Sequence, residues 1–369
     1  MRKTYLDNIK WITVVIVVLY HVIYMYNAIV TSGTIGPFSE VQYQDIFQYI
    51  VYPWFMVLLF VVSGMSARFA LTKHTAKEFI ATRTVKYLVP STLGLPVFYW
   101  ILGYYNMQIG HAFDTMGDVP GPVVFLIMAL SGTAVMWYIQ LLWLYSVILV
   151  LVRKIEKDRL YNLAGKSNVI VFLALMPVMW GAANILNTPI VVVYRFGIYG
   201  VAFFAGYFIF SHDEVMDRLE KLWLPLTVIS MVLAVIFTVV FWGQHYPDHV
   251  VLDTFLCNLY AWAATLAVLA FMKKWGNFSN DFTAWMGKKS WGLYMFHYLP
   301  IAMIAYYTRK YLPGMAPVLV YLLTTFGAFA GAYLLYEIIS RVPVLRWFVL
   351  GISRKKVPVG SSERDKNVC

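Results

Sequence analysis

Charge is what this chain has least of: of its 369 residues only 13% are Asp, Glu, Lys or Arg, while 61% are hydrophobic. A water-soluble domain carries nearly twice that share of charge. A soluble enzyme of this size is therefore excluded, and the mean hydropathy of +0.68 makes the bilayer part of the solvent. Cysteine is almost absent. Cys257 sits inside an apolar run and Cys369 is the last residue, so there is no disulfide framework and the redox compartment stays open. Three familiar signatures are also missing: a phosphate-cradling Gly-rich loop, a Gly-x-Ser-x-Gly elbow and a His-Glu-x-x-His zinc helix. The length leaves no room for a nucleotide-hydrolysing domain of a pump. No small-residue cleavage site follows the first apolar run, which is long enough to stay as a membrane helix.

What the chain does have is long apolar runs. They lie near 11–30, 46–71, 85–105, 133–152, 169–186, 195–210, 222–243, 250–272, 290–307 and 316–339. Crossing hydrocarbon takes roughly 20 apolar residues as a helix, and lipid cannot satisfy free backbone groups, so helices are the expected elements. The fifth, sixth and ninth runs are short, and the stretch Val123–Leu130 is expected to lie at the membrane surface or to re-enter. The predicted fold class is all-α, a polytopic membrane protein with about 10 transmembrane helices and both termini cytoplasmic. Residues 1–352 form one transmembrane domain, and 353–369 read as a polar, disordered cytoplasmic tail.

The net charge of +11 does not mark a nucleic-acid binder, because no basic domain exists. With ten alternating crossings and a cytoplasmic N-terminus, 26 of the 29 Lys and Arg fall inside, and only Arg195, Arg309 and Lys310 fall outside. That asymmetry is topogenic, with attraction to anionic lipid as a side effect.

An ionisable side chain in lipid is costly and survives by facing a cavity or a partner. His21 lies about two-thirds of the way along the first run, with Tyr24 on the same face. A neutral imidazole there keeps one nitrogen to accept a proton, which suits a general base; a histidine tied to a neighbouring carbonyl fits equally well. Asp7 lies fourteen residues earlier, roughly 21 Å along the helix, too far for a dyad. Ser290, Tyr294 and His297 form one polar stripe, for which helix packing is the stronger reading on spacing alone. Arg68, Lys73, Lys77, Arg83 and Lys86 follow the second run. Such cations can hold phosphates, but topology alone explains their charge. Arg195 meets either an anionic acceptor or lipid headgroups. The loop holding His245, Asp248 and His249 reads as a solvated turn and not as a metal site, and Glu337 and Arg341 have the spacing of an intrahelical ion pair.

Five motifs then occur in order. Tyr5-Leu6-Asp7-Asn8-Ile9-Lys10-Trp11 runs into Val17-Val18-Leu19-Tyr20-His21-Val22; Phe60-Val61-Val62-Ser63-Gly64 follows; then come Phe79, Arg83, Lys86 and Pro90. Trp137-Tyr138-Ile139-Gln140-Leu141-Leu142 and Ser290-Trp291-Gly292-Leu293-Tyr294-Met295-Phe296-His297 complete the set. Together they resemble the acyltransferase 3 family, ten-helix bacterial membrane O-acyltransferases. The resemblance implies a catalytic His21, with Tyr24, Ser63, Tyr294 and His297 as candidates to orient groups or stabilise an oxyanion. It also gives Arg83 a place in an acyl-CoA site, where Lys86 and Arg68 are expected to join it, with Arg195 expected on the acceptor side. Acyl-CoA is then the donor substrate, with no permanently bound cofactor and no metal. The acceptor is a hydroxyl of an envelope glycan, a lipid-linked glycan or a small lipophilic molecule, and acetyl or succinyl is the group moved. The expected setting is the cell membrane, with membrane lipids as neighbours.

Departures exist. Lys10 stands where many relatives have Arg, and Lys86 replaces the second Arg of the basic pair, which keeps the charge but loses the bidentate fork. Val135-Met136 stand where many relatives have a His. A proton-coupled transporter or lipid-linked-precursor flippase using His21 and His297 is the rival reading, disfavoured by the lack of inverted repeats. A non-catalytic membrane partner is the third.

Overall fold

The computed structural model describes residues 3–30, 33–188 and 193–352, and every regular element among them is helical. The tail 353–369 and Arg2 of the predicted inside set lie outside the described residues. The main helices are α1 Thr4–Met25, α2 Ile46–Leu71, α3 Ala76–Ile109, α4 Gly121–Ser131, α5 Ala134–Glu156, α6 Val169–Ala183 and α7 Phe196–Phe210. They continue with α8 Trp223–Phe241, α9 Phe255–Trp275, α10 Asp281–Phe296, α11 Tyr298–Tyr311, α12 Pro317–Arg341 and α13 Pro343–Leu350.

Seven of these, α1, α2, α3, α5, α8, α9 and α12, are long and apolar enough to cross a membrane. The other three predicted runs also fall on helix, but on shorter pieces. The run 169–186 becomes the 15 residues of α6, and 195–210 becomes α7. The run 290–307 is split at His297 into α10 and α11. Pro300 explains that split, because it has no N–H to donate to the Phe296 carbonyl one turn back. The stretch predicted to lie at the surface is α4. It packs on α3 through Gly103 and Gly132, where a Cβ would come within 1.7 Å of Met128 O and 2.1 Å of Tyr99 O, and it leaves Leu126 and Leu130 exposed.

Helix α3 is not regular. Wide π turns occupy Thr84–Leu88 and Leu95–Tyr99, each beside a proline, Pro90 or Pro96, that removes a backbone donor. Burial then separates centre from rim. In the apolar stretches of α9 and α2, 72% and 67% of residues are buried, against 11% in α8, which is left to face lipid. The central position of α2 depends on bare backbone. A Cβ on Gly64 would stand 1.9 Å from Phe203 O, and one on Gly206 would stand 2.0 Å from Val61 O. The two glycines therefore let α2 and α7 meet main chain to main chain, in the small-residue mode of membrane helices.

This contact yields a test. Gly64→Ala should lower the thermal unfolding midpoint in detergent, with an overpacking cost of about 1–3 kcal/mol. Gly181→Ala, where a Cβ meets nothing within 4 Å, should be neutral or slightly stabilising. If the two variants unfold at the same temperature as the parent, the close-packing account is wrong.

Candidate active site

Two histidines 276 positions apart in sequence meet at the centre of the bundle. His297 sits at the break between α10 and α11 and is fully buried. Its Nδ1 lies 3.0 Å from the Leu293 carbonyl and 2.9 Å from the Tyr294 carbonyl. Carbonyl oxygens only accept, so Nδ1 carries the proton, and in a neutral ring Nε2 then holds the lone pair. That Nε2 is 3.1 Å from His21 Nδ1, which is also 2.9 Å from the Val17 carbonyl one turn back on α1. His21 Nδ1 thus faces two acceptors and must be the donor. By elimination the lone pair of His21 is on Nε2.

His21 lines a cavity of about 430 Å³. Its walls are mostly aromatic, with Tyr20, Tyr24, Tyr52, Trp137, Tyr199, Tyr294 and Tyr298 among them. The Tyr298 ring meets His21 edge-on at 5.1 Å, and Tyr24 at 6.4 Å. The Tyr294 hydroxyl donates to the Val135 carbonyl. Gly33, Asn106 and Pro247 also line the cavity, so it reaches the loops at the helix ends away from Lys10.

At the opposite end lies the basic cluster. Arg83 donates to the Tyr87 hydroxyl, with its guanidinium 4.9 Å above the Phe79 ring and 5.1 Å above the Tyr87 ring. Lys86 lies 4.9 Å over Trp291, and Lys10 on α1 is close enough to interact with Arg83, Lys86 and Tyr87. From there the rings form a ladder. Tyr87 neighbours Trp291 at 6.1 Å, Trp291 stacks on Tyr294 at 6.1 Å, and Tyr294 lies 6.3 Å from His297. The 290–297 stripe is therefore a wall between the cations and the histidine pair.

The structure does not bring every expected residue to the cavity. Ser63 lies off it, 2.9 Å from the Tyr138 hydroxyl, and Tyr138 leans edge-on against Tyr294 at 5.7 Å. Arg68 is engaged inside the protein. It donates to Asp158 at 2.6 Å and to the Tyr207 hydroxyl at 3.1 Å, and its guanidinium lies 3.5 Å over the Tyr161 ring. Tyr161 stacks in turn on His212 at 3.9 Å, and burial holds the His212 pKa below its ordinary value. Arg195 is turned inward, 4% exposed, donating to the Leu252 carbonyl at 3.0 Å and to Asp253 at 3.4 Å. His249 joins the same Asp253 at 3.3 Å, while His245 pairs with Asp248 at 3.6 Å. Asp7 neighbours Lys10 at 3.9 Å. Glu337 bonds Arg341 at 3.1 Å as its spacing suggests, and also takes Lys289 of α10, which spacing within one helix does not reveal. The residues given no site role in the sequence are chiefly Tyr298 and, though quoted within its motif, Tyr138. Each directly follows a residue already singled out, His297 or Trp137, and that adjacency is the only signal.

A family model described as an acyltransferase domain, acyltransferase 3, matches residues 3–337, nearly the whole chain. No curated protein and no solved structure matches it.

The hydrogen-bond argument predicts the tautomer of His21. Protein labelled with ¹⁵N-histidine, with His21→Gln to assign the signal, should show a neutral ring protonated on Nδ1. A ring protonated on Nε2 would contradict the pairing.

Proposed function

Because the chain belongs to the acyltransferase 3 family, we propose that it is a ten-crossing O-acyltransferase of the cell membrane. It moves an acyl group, acetyl or succinyl, from cytoplasmic acyl-CoA to a hydroxyl of an envelope glycan, a lipid-linked glycan or a small lipophilic acceptor. The observation that carries this reading is that His21 lines a cavity while His297 occupies its Nδ1, which leaves the lone pair to Nε2.

The donor's phosphates meet Arg83, Lys86 and Lys10, whose charge-assisted bonds suit phosphate oxygens. Arg68 supports that end through the fold, since its donors are already engaged by Asp158 and Tyr207. Lys10 and His21 are eleven residues apart on one helix, roughly 16 Å by helical rise. The pantetheine arm spans that gap along Trp291 and Tyr294, whose rings have to give way for the thioester to reach His21. The acceptor enters from the loop end of the cavity.

His21 Nε2 takes the proton of the acceptor hydroxyl as its oxygen attacks the thioester carbonyl carbon. The tetrahedral oxyanion collapses, the C–S bond breaks, and the imidazolium returns the proton to the coenzyme A thiolate. Tyr24 and Tyr298, whose rings meet His21 edge-on, are the candidates to donate to the oxyanion. Tyr294 positions Val135 and the ladder, and Ser63 acts through Tyr138. An acyl-histidine relay at the same nitrogen is the less favoured route.

Purified His21→Ala should lose acyl transfer, or slow acyl-CoA hydrolysis, by a factor of about 10²–10⁴; full activity would remove the base assignment. Arg83→Ala should weaken coenzyme A binding by about tenfold or more in a direct titration, and unchanged affinity would refute the donor site. Mass spectrometry of envelope glycans and lipids from cells with and without the protein identifies the acceptor.

A further inference from the structure

A second cavity, of about 410 Å³, adjoins the first at Gly33, which lines both. Gln108 and His111 wall it from the end of α3, and Tyr306, Arg309 and Lys310 from the end of α11. Both helix ends lie away from the Arg83 cluster. This is the side that the charge pattern leaves nearly free of cations, with only Arg195, Arg309 and Lys310. Arg195 is turned inward onto Asp253. The two cations left to that face are therefore neighbours in sequence, and both line this one cavity.

Their chemistry points to an anion. Two adjacent cations on the outer side run against the topogenic trend, so topology does not explain them. Among the described residues neither forms an ion pair with a carboxylate; Lys310 approaches the Tyr306 hydroxyl at 3.4 Å and lies over the Tyr306 and Tyr311 rings at 5.5 and 5.4 Å. The carboxylate of Asp114 is held by His111 at 3.3 Å. Gln108 and His111 line the same wall.

We propose that this cavity seats an anionic group, a phosphate or carboxylate, carried by the acceptor. The acceptor is then a charged glycan or glycolipid and not a neutral alcohol. The proposal rests on the acyl-transfer reading above for what the neighbouring cavity does. It also sets a length. Arg309 is twelve residues beyond His297 along α11, roughly 18 Å by helical rise. The anion and the hydroxyl that is acylated are separated by about that distance, a few sugar units. A bilayer lipid headgroup offers the same phosphate chemistry, and the experiment has to tell the two sources apart.

The test uses the full chain carrying Arg83→Gln and Lys86→Gln, so that the other basic cluster is silent, in neutral detergent. Inorganic pyrophosphate is titrated while the thermal unfolding midpoint is followed, since a ligand of the folded state raises it. The midpoint should rise saturably. Adding Arg309→Gln and Lys310→Gln should weaken half-saturation by about tenfold or more, while Arg309→Lys with Lys310→Arg should keep the protection. The midpoint without pyrophosphate confirms that each variant is folded. No protection in the parent, or protection indifferent to the two Gln substitutions, overturns the proposal. The same titration in nanodiscs of phosphatidylcholine, with and without phosphatidylglycerol, separates the sources. Binding that survives phosphatidylglycerol supports an acceptor-borne anion; binding abolished by it assigns the cavity to a headgroup and overturns the proposal. The readout needs neither donor nor turnover. Acyl transfer is read separately on the unsubstituted protein: pyrophosphate binding here with no transfer by that protein fails only the acyl-transfer reading, and transfer by it without this binding fails only the anion site.

Discussion

The hydrogen bond between His297 and His21 governs the chemistry open to the rest of the molecule, and it is set by main chain. Leu293 and Tyr294 present carbonyls to one nitrogen of His297, which leaves the other as an acceptor. That acceptor fixes the proton on His21 Nδ1 and directs the second lone pair away from the pair. A helix break is what allows this, because Pro300 withholds a donor and lets the chain turn at His297. Orientation and protonation of the first histidine thus follow from backbone geometry on another helix.

Around that centre, packing and charge divide the work. Gly64 and Gly206 bring α2 against α7 without side chains between them, which frees the other face of α2 to wall the cavity with Tyr52, Phe55 and Met56. The first π turn of α3, beside Pro90, widens the helix just where Lys86 and Tyr87 reach toward α1 and α10. Aromatic rings fill the space between cations and histidines, giving an apolar wall with polar rims. Such a wall excludes water without presenting unsatisfied donors of its own.

Much of this was legible in the sequence, and the reason is the solvent. Lipid makes apolar runs long and charges rare, so all ten predicted runs fall on helix and His21 stands out at once. What sequence could not give was adjacency. His297 looked like a packing residue because its stripe says nothing about a residue 276 positions earlier. Arg195 and Arg68 looked available because their partners, Asp253 and Asp158, lie in loops far along the chain. Lys289 went unnoticed beside the obvious Glu337–Arg341 spacing for the same reason. Lengths were also hard to judge: the fifth, sixth and ninth runs looked short, and they are short because turns, loops and a proline interrupt them.

One property of the histidine pair bears on timing. Among the described residues no carboxylate touches either ring; carbonyl dipoles are all that stand behind them. An imidazole backed by a full negative charge can store a proton between steps, whereas dipoles give an imidazolium weaker support. A base built this way is a poor reservoir. On the proposed route, whatever such a base lifts from the hydroxyl it must hand to the departing sulfur within the same turnover, so holding a proton over from one turnover to the next is not open to it.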